Sequence, residues 1–372
     1  MKKKRLLIDV NAVVSYYASG TVNGIGRTAL ELVNALAEMD DLPFEVMLYS
    51  QNMKGIGVHN MQVPFLKKHF YWPHREKYNK ILAATPIQEW LTRYDIKHIP
   101  DNFSYTHCPE KAIVTIHDAM FFSHPEQFMG HDFARENYPK LARRAKAIIT
   151  CSENSKNEIA EFMGVPEEKI HVCPWGVDRN IFYPHQPQPN KYTDGRPFFL
   201  SVSCNNGRKN TISILRAYEE LIKNQPTHDL ILIWANPLPE VYEKYTQGIF
   251  AGRVHFISGV TDKELSDLYA EATATFFPSL YEGFGLPILE SMVSGTPVIT
   301  CNNSSLGEVG GDAALYVEPK DIKAMAQWME AFENKSVDMN KFVSKCINQA
   351  GKFTWKSCAE KTLEVYKQCL EL

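Results

Sequence analysis

The sequence predicts an α/β fold made of two units in tandem, and three observations lead to this prediction. Short apolar runs alternate with amphipathic helical patterns along the chain, which is typical of parallel sheets covered by helices on both faces. The chain has 372 residues, more than one ordinary hydrophobic core accommodates. A proline-rich polar stretch without either period, around residues 181–197, interrupts the alternation near its middle.

In the first half of the chain, predicted strands and helices follow one another in a regular order. The strand "RLLIDV" precedes the helix "RTALELVNALAEM", and further strands are predicted at "FEVMLYS", "KAIVTIHD" and "AKAIITCS". The helical pattern "ENSKNEIAEFMG" then leads into the strand "KIHVCPWG". Residues 1–182 are therefore predicted to form the N-terminal domain.

The second half repeats this alternation. Strands are predicted at "FFLSVS", "DLILIWA", "RVHFISG", "ATFFPS" and "TPVITC", with helices at "TISILRAYEELI", "DKELSDLYAEA" and "PILESMVSG". This pattern predicts a second domain over residues 183–350. In the tail, residues 351–372, apolar side chains recur at helical spacing, so a closing helix is expected. These side chains are Trp355, Ala359, Leu363, Val365, Tyr366 and Leu370.

Composition and charge exclude several classes of protein. With 44% hydrophobic and 22% charged residues, the chain is globular rather than disordered or fibrous. A formal net charge of -3 gives no basic field, so no nucleic-acid partner is expected. Asp9 and Asn11 interrupt the first apolar run, so we expect neither a signal peptide nor a membrane span, and a cytoplasmic protein. The eight cysteines have no metal-ligand spacing and are expected to be reduced.

Ligands of open α/β sheets bind at the carboxyl ends of the strands, so the loops there are the candidate sites. Gly20, Gly24 and Gly26 follow the first strand and precede a helix predicted to begin near Arg27. Backbone amides, a helix N-terminus and a cation in one place suit a phosphate, although a plain glycine turn fits equally well.

Two further loops carry charged or titratable side chains. His117, followed by Asp118, stands at the end of a buried strand, where it can bind a sugar hydroxyl or phosphate or exchange a proton near neutral pH. The alternative is a structural histidine. Arg208 and Lys209 stand between a strand and a helix, where two cations suit a diphosphate; surface exposure is the alternative.

The stretch "SLYEGFGLPILESMVSGTPVITC", residues 279–301, is the most informative loop. Pro287 is expected in the first turn of a helix, preceded by an approach loop formed by Gly283, Phe284, Gly285 and Leu286. Glu282 stands before this loop and Glu290 about one turn into the helix. Two carboxylates can accept hydrogen bonds from vicinal sugar hydroxyls, whereas solvated surface glutamates are the alternative.

These motifs, in this order, resemble those of the retaining glycosyltransferases of family four, which includes many bacterial mannosyl- and related sugar transferases. The resemblance rests on the E-x7-E arrangement of "EGFGLPILE" and on "GIGRTALELVNAL", "VTIHD", "HPEQF", "CSENSKNEIAEFMGVPEEKIHVCPWGVD", "GRKN", "FISGVTDKEL" and "GGDAALYVEP". It implies the GT-B fold, with two Rossmann-like domains facing across a cleft. The nucleotide-sugar donor would be held mainly by the second domain and the acceptor by the first, and the tail helix would cross back to the first.

The resemblance also implies a role for each matching residue. Glu290 would bind the donor ribose and Glu282 the transferred sugar, while Arg208 and Lys209 would neutralise the diphosphate without a metal or other cofactor. The expected catalytic residues are thus Glu282, His117, Arg208 and Lys209. The expected donor-binding residues are Glu290, Gly283, Phe284, Gly285, Leu286, Gly259 and Val260, the last two at the base, and the expected acceptor and phosphate loop contains Gly24 and Gly26.

Three positions depart from the family's pattern. Ser203 stands where a glycine is common, Trp175 replaces the usual asparagine before "GVD", and Gly307 replaces a frequent proline. They leave open which donor is used, GDP-mannose being favoured over a UDP-sugar. Retention is expected to proceed by front-face attack, in which the leaving phosphate accepts the acceptor's proton and Glu282 positions the sugar.

The acceptor is expected to be a hydroxyl of a glycan or of a lipid-linked glycan in bacterial surface polysaccharide synthesis. Residues 64–80, "PFLKKHFYWPHREKYNK", interleave cations with aromatic side chains, which suits an anionic membrane surface at which the enzyme would be peripheral. A solvated loop is the alternative. Two other functions remain open: another GT-B nucleotide-sugar enzyme, an epimerase or a phosphorylase, or a two-lobed sugar-binding protein without catalysis.

Overall fold

A computed structural model describes residues 3–19, 24–127, 130–204 and 207–372 of the chain. The chain divides into two compact units, which we call the N-terminal unit, Met1–Gly176 with Trp355–Leu372, and the C-terminal unit, Val177–Thr354. The chain thus passes between units at 176–177 and 354–355, where the sequence predicts 182–183 and 350–351. Gly20 of the predicted glycine turn lies outside the described residues.

The N-terminal unit contains a parallel sheet with the strand order β3-β2-β1-β4-β5-β6-β7 in the described part of the chain. Its strands are β1 (Arg5–Asp9), β2 (Glu45–Gln51), β3 (Leu66–Phe70), β4 (Ile96–Ile99), β5 (Ala112–Thr115), β6 (Ala147–Thr150) and β7 (Ile170–Val172). Its helices are α1 (Val14–Ser19), α2 (Gly24–Ala37), α3 (Glu76–Ala84), α4 (Ile87–Thr92), α5 (Met120–Ser123), α6 (His131–Arg144) and α7 (Glu153–Met163).

The C-terminal unit contains a second parallel sheet, with the described strands in the order β10-β9-β8-β11-β12-β13. Its strands are β8 (Phe198–Val202), β9 (Asp229–Ile233), β10 (Val254–Ile257), β11 (Ala274–Phe277), β12 (Val298–Thr300) and β13 (Leu315–Tyr316). Its helices are α8 (Thr211–Ile222), α9 (Pro239–Thr246), α10 (Asp262–Glu271), α11 (Leu286–Val293), α12 (Leu306–Gly310), α13 (Ile322–Glu333) and α14 (Met339–Ala350).

Both sheets are doubly wound, because the strand order reverses once in each. The reversal falls between β1 and β4 in the first sheet and between β8 and β11 in the second. The central strands are buried on both faces, which explains their uninterrupted apolar sequences. These observations confirm the predicted α/β class with two Rossmann-like units.

The predicted closing helix is confirmed as α15 (Trp355–Leu370). Its buried side chains Ala359, Val365 and Leu370 belong to the same core cluster as Leu6 of β1 and Val33 of α2. The tail is therefore part of the N-terminal unit's core. No helix in the described ranges has the length and apolar character needed to cross a bilayer.

The predicted start of α2 was wrong. Helix α2 begins at Gly24, so Gly24 and Gly26 lie in its first turn rather than in a turn before Arg27. Gly26 and Thr28 are already buried, and packing of this end of the helix outweighs the roughly 1 kcal/mol by which glycine disfavours a helix relative to alanine.

Candidate active site

The candidate site lies at the carboxyl ends of β8 and β11, the neighbouring strands between which the order of the C-terminal sheet reverses. This is the position where open α/β sheets bind ligands. The loop after β8 contains a short 3₁₀ turn, Gly207–Lys209, and leads into α8, whereas the loop after β11 leads into α11. Two helices thus begin at this edge, and their N-terminal amides favour an anion.

Three charged side chains meet there. Glu282 is buried at 7% exposure and places one carboxylate oxygen 2.6 Å from the Arg208 guanidinium and the other 2.9 Å from Lys209 Nζ. Arg208 also donates to the carbonyl of Tyr281 at 2.9 Å, and Lys209 Nζ lies 4.3 Å from the centre of the Phe277 ring. The predicted cations and the predicted sugar-binding carboxylate therefore form one cluster.

The Glu282 carboxylate is ionised at neutral pH. Burial alone would raise the pKa of Glu282, but the positive charges of Lys209 and Arg208 and their hydrogen bonds outweigh burial, so this pKa lies below its ordinary value. Two positive charges and one negative charge leave the cluster with a net charge of +1. A surplus positive charge beside two helix N-termini can stabilise a phosphate anion.

The approach loop is held in one conformation by glycine geometry and packing. Gly285, which precedes α11, has a φ of +114°, and a β-carbon there would lie 3.0 Å from the Leu306 side chain. Phe284 is buried, and its ring contacts Phe353 edge to face. Pro287 stands in the first turn of α11 as predicted, while Leu286 is already helical rather than part of the loop.

Glu290 lies on α11, in the helical position that the sequence predicts. Tyr269 of α10 donates a hydrogen bond to the Glu290 carboxylate at 3.2 Å. Burial, and then the charge of Glu290, hold the pKa of Tyr269 well above its ordinary value, so the phenol stays protonated and remains a donor. This contact orients the Glu290 carboxylate.

Gly259 and Val260 form the turn between β10 and α10, two strands away from β8 in the sheet. Gly259 has a φ of +68°, a left-handed conformation that favours glycine. Thr261 caps α10 with a complete capping box that includes Glu264. The sequence-based alternative, an ordinary capped helix, therefore describes the local structure.

His117 belongs to the N-terminal unit, in the loop after β5, and is 4% exposed. Its Nε2 lies 3.3 Å from the carbonyl oxygen of Pro100, which can only accept, so Nε2 carries the proton and Nδ1 is a buried acceptor that has no partner among the described residues. Burial lowers the pKa of His117 to about 4. Burial therefore favours the neutral ring at pH 7, and of the roles that the sequence left open this fits hydrogen bonding through Nδ1 better than proton exchange near neutral pH.

The ring of Trp175, one of the departures from the family's pattern, contacts His117 edge to face at 5.0 Å between ring centres. Gly24 and Gly26 lie in the same unit, in the first turn of α2. The structure therefore brings Arg208, Lys209, Glu282 and the approach loop together in the C-terminal unit, while His117 and the two glycines belong to the N-terminal unit. In the described part of the chain, no group of His, Cys, Asp and Glu side chains could hold a metal ion.

The sequence-based reasoning missed the residues that hold the approach loop. Asn303, Ser304 and Ser305, which follow β12, make hydrogen bonds to the main chain of residues 279–284. No local pattern in "CNNSSLGEVGG" marks them, because the contacts bridge more than twenty positions of sequence. Asn210, which precedes α8, was missed for the same reason and donates to the Pro278 carbonyl at 3.0 Å.

Comparison with known families gives two matches that follow one another along the chain. Residues 183–353 match "Glycosyl transferases group 1". Residues 22–181 match "Glycosyltransferase Family 4". The E-x7-E stretch and the cationic loop fall in the first of these matches, and His117 falls in the second.

One curated relative and two solved structures illustrate the similarity. The chain is 29% identical to O-antigen chain mannosyltransferase B of Escherichia coli, over 93% of this chain and 96% of that protein. Sucrose-phosphate synthase of Thermosynechococcus elongatus aligns with a TM-score of 0.77 at 17% identity, over 99% of this chain and 100% of that one. HepE of Anabaena in complex with UDP-glucose aligns at 0.72 and 16% identity, over 98% and 99%. The structural likenesses confirm the GT-B fold.

Proposed function

Because this chain belongs to the glycosyltransferases of group 1 and family 4, we propose that it transfers a hexose, with retention, from a nucleoside-diphosphate sugar to a glycan hydroxyl. The class of enzyme, a hexosyltransferase of polysaccharide synthesis, follows from the family and from the mannosyltransferase relative. Within that class we favour GDP-mannose as donor, with a UDP-sugar second. The acceptor is a hydroxyl of a glycan or of a lipid-linked glycan of the bacterial surface.

The observation that carries the proposal is the cluster of Arg208, Lys209 and Glu282 between the starts of α8 and α11. When the bond to the sugar breaks, negative charge develops on the leaving diphosphate. Arg208 and Lys209 stabilise that charge from fixed positions, since Glu282 and the Tyr281 carbonyl already order them. With two cations in place, the leaving group needs no metal, and chelators are expected to leave turnover intact.

Glu282 and Glu290 bind the two sugar rings of the donor in this proposal. Glu282 accepts hydrogen bonds from hydroxyls of the transferred sugar, Glu290 accepts from the ribose, and residues 283–286 contact sugar hydroxyls and phosphate. Gly259 and Val260 border the base. In the N-terminal unit, the neutral His117 is proposed to accept a hydrogen bond from a sugar hydroxyl through Nδ1, and Gly24 and Gly26 are proposed to border a phosphate or the acceptor.

The reaction proceeds by front-face attack in this proposal. The acceptor hydroxyl approaches the anomeric carbon on the side of the leaving diphosphate, whose oxygen takes up the proton as the glycosidic bond forms. Glu282 is paired with two cations, which lowers the nucleophilicity of its oxygens and suits a positioning group better than a nucleophile.

A thermal-shift panel of GDP, UDP, TDP and ADP tests the donor first. A nucleotide at 100 times its Kd adds about 2.7 kcal/mol to the free energy of unfolding. The nucleotide that stabilises the protein identifies the sugar nucleotide for turnover assays, with and without a glycan acceptor. Hydrolysis without acceptor separates an enzyme from a sugar-binding protein.

Arg208→Ala and Lys209→Ala then test the site. Each is expected to lower kcat by about 10²–10³-fold, the usual cost of removing one fixed group that stabilises transition-state charge. Lys223→Ala, which removes an exposed lysine from the end of α8, serves as the control. Near-normal turnover of both site variants with an accepted donor would refute the proposed role of the cluster.

A membrane surface is proposed as a further partner of the N-terminal unit. Lys68 is exposed on the edge strand β3, beside the exposed Leu66 and Tyr71, and Trp90 on α4 is 68% exposed. Other aromatic rings of residues 64–80 pack internally, however: Phe70 on Tyr49, and Trp72 on Tyr78. Residues 64–80 thus contain β3 and the first turn of α3, and they offer less exposed surface to a membrane than the sequence suggests.

Sedimentation with anionic phospholipid vesicles tests this partner. The triple variant Lys68→Ala, Tyr71→Ala and Trp90→Ala is expected to bind more weakly than the unchanged protein, since each lysine near an anionic surface contributes about 1 kcal/mol. Equal sedimentation of the two proteins would discard the idea without affecting the donor site.

A further inference from the structure

The segment between β11 and α11, which contains Glu282, is held mainly by side chains from other loops. Pairing with the sheet ends at Phe277, and helical hydrogen bonds begin only at Gly285. In between, the main-chain carbonyls are occupied by side chains. Asn210 donates to Pro278, Asn303 to Ser279 and Leu280, Arg208 to Tyr281, and Ser305 to Glu282 and Phe284.

Much of this support comes from the three consecutive residues Asn303, Ser304 and Ser305, which we call the 303–305 loop. The two amide hydrogens of Asn303 reach two successive carbonyls, at 3.2 Å and 2.9 Å. Ser304 Oγ accepts from the Glu282 backbone N–H at 3.0 Å. The 303–305 loop therefore contacts the segment before, at and after Glu282.

Ser305 holds the two residues that flank Gly283. Its side chain is fully buried, and Oγ lies 2.7 Å from the Glu282 carbonyl and 2.8 Å from the Phe284 carbonyl. A hydroxyl has one proton, so the two carbonyls share one donor. This sharing keeps both carbonyls on the same side of the chain and fixes the peptide planes around Gly283.

Ser304 has a left-handed backbone conformation. Its φ is +45°, in the left-handed region that residues other than glycine, asparagine and aspartate seldom occupy. Ser304 Oγ accepts the hydrogen bond of the Glu282 N–H, and Ser305 is the next residue in the chain. Ser304 thus binds the backbone N–H of Glu282, and Ser305 binds its backbone carbonyl.

We propose that Ser305, assisted by Ser304, is a positioning residue for the transfer reaction, acting through Glu282. By fixing the main chain of Glu282, it holds the carboxylate on Arg208 and Lys209 and at the place of the transferred sugar; this last step rests on the proposed function. Reacting groups displaced by about 1 Å can lose about 10²-fold in rate, so the orientation of this segment matters to catalysis.

The chain provides a matched control for a purely structural role. Ser291, on α11, is also fully buried, and its Oγ lies within hydrogen-bond distance of Thr275 Oγ1, at 2.8 Å, and of the Thr296 carbonyl oxygen, at 3.2 Å. Its partners lie in β11 and before β12, not in the 279–285 segment. Ser305→Ala and Ser291→Ala therefore remove the same group from equally buried places, and only the first change releases Glu282.

The experiment compares these two variants in the full-length chain, together with Glu282→Gln and the double variant Ser305→Ala/Glu282→Gln. Ser305→Ala is expected to lower kcat by at least about 10-fold while changing the Kd of the nucleoside diphosphate by less than about threefold. Ser291→Ala is expected to keep kcat within about threefold. In the Glu282→Gln background, Ser305→Ala should cost less than about threefold, since the effect passes through Glu282.

A second readout needs no donor. Amide hydrogen exchange in residues 279–286 of the ligand-free protein should rise in Ser305→Ala and stay unchanged in Ser291→Ala. Equal kcat in the two serine variants, an undiminished effect of Ser305→Ala in the Glu282→Gln background, or unchanged exchange would each overturn the proposal. If Ser305→Ala does not fold, Ser304→Ala, which removes only the acceptor for the Glu282 N–H, is measured with the same criteria.

The two readouts separate this inference from the proposed function. If the unchanged protein turns over none of the sugar nucleotides, the proposed function has failed and the kinetic arm reports that failure. The exchange arm still decides whether the 303–305 loop holds the segment. If turnover is normal and exchange is unchanged, the inference alone has failed.

Discussion

Glu282 is ionised although it is buried at 7% exposure, and burial by itself favours the neutral form of a carboxyl group. Burial of a carboxylate is costly unless it is paired, and here each oxygen has its own cation. Replacing Glu282 by a neutral residue should therefore lower the free energy of unfolding and leave the two cations without their carboxylate, which replacing a surface glutamate would not do.

We predict that Glu282→Gln separates nucleotide affinity from turnover. The cluster's net charge rises from +1 to +2, so the affinity for a nucleoside diphosphate should increase by at least about threefold. Turnover should fall by about 10–100-fold because the sugar loses its fixed acceptor, and the free energy of unfolding should fall by about 2–3 kcal/mol. Calorimetric titration and steady-state kinetics check the first two effects. Weaker nucleotide binding would contradict the charge argument.

His117 leads to a prediction about pH. Burial lowers its pKa from the ordinary 6.5 to about 4, so on acidification the unfolded chain takes up a proton before the folded chain does. The stability associated with neutral His117 is complete above about pH 6.5 and is lost as the pH falls towards 4, by about 3 kcal/mol in total. His98, whose pKa burial lowers to about 3, acts in the same direction.

His117→Gln should therefore flatten the fall in stability of the N-terminal unit between pH 6.5 and 4. Urea unfolding at several pH values in this window measures the slope, and His59→Gln, at an exposed histidine, is the control. An unchanged slope in His117→Gln would mean that this ring is not protected from protonation by burial.

At the scale of elements, the start of α11 depends on one glycine. Gly285 has a φ of +114°, and a β-carbon there would lie 3.0 Å from the buried Leu306 side chain, whereas Gly252 has a φ of +68° and open space around it. We predict that Gly285→Ala costs about 2–4 kcal/mol and Gly252→Ala about 1–2 kcal/mol, because only the first adds a tight contact, which Leu306 must relieve by moving, to backbone strain. Chemical denaturation of the C-terminal unit measures both, and equal losses would contradict this account.

The elements that the sequence predicted correctly are the ones with uninterrupted apolar runs, such as β1, β8 and β11. Strand β3, "LKKHF", was not predicted, because its lysines and histidine hide the strand period; it is an edge strand, where charged side chains are common. Strand β4, "IKHI", was missed because a lysine and a histidine are unusual in a central strand.

The buried polar side chains of β4 show why such a strand cannot be predicted from its local sequence. Lys97 donates to Gln88 at 3.1 Å and lies 3.4 Å from Asp9, while His98 bonds to Thr115 and to Tyr366. These partners all lie outside β4, in other elements of the N-terminal unit, so the sequence of the strand alone does not identify them. The same holds in the site, where Glu282 and Arg208 follow from motifs but Ser305 does not.

At the scale of the whole molecule, each unit is a doubly wound parallel sheet, and the candidate site of the C-terminal unit coincides with the reversal of its strand order. The chain returns to the N-terminal unit at Trp355, where α15 completes the core instead of adding a peripheral helix. Removing the last 18 residues would therefore expose the core of the N-terminal unit rather than that of the C-terminal unit.

The dependence of the N-terminal unit on α15 can be tested at the hydrogen bond between Tyr366 OH and His98 Nδ1, which is 2.6 Å long and fully buried. His98 Nε2 bonds to Thr115 Oγ1 at 2.8 Å, so α15, β4 and β5 are joined through one neutral ring. Tyr366→Phe keeps the ring of Tyr366 but leaves His98 Nδ1 without this partner. We predict a loss of about 1–3 kcal/mol in the stability of the N-terminal unit.

Hydrogen exchange resolves where that loss occurs. Amides of β4 and β5 should exchange faster in Tyr366→Phe, because opening of the N-terminal unit becomes easier, while amides of β8 and β11 should keep their protection. Tyr218→Phe, which removes a buried tyrosine hydroxyl bonded to the His228 carbonyl in the C-terminal unit, should give the opposite pattern. Faster exchange in both units with either variant would show that the two cores unfold as one, and the assignment of α15 to the stability of the N-terminal unit alone would be wrong.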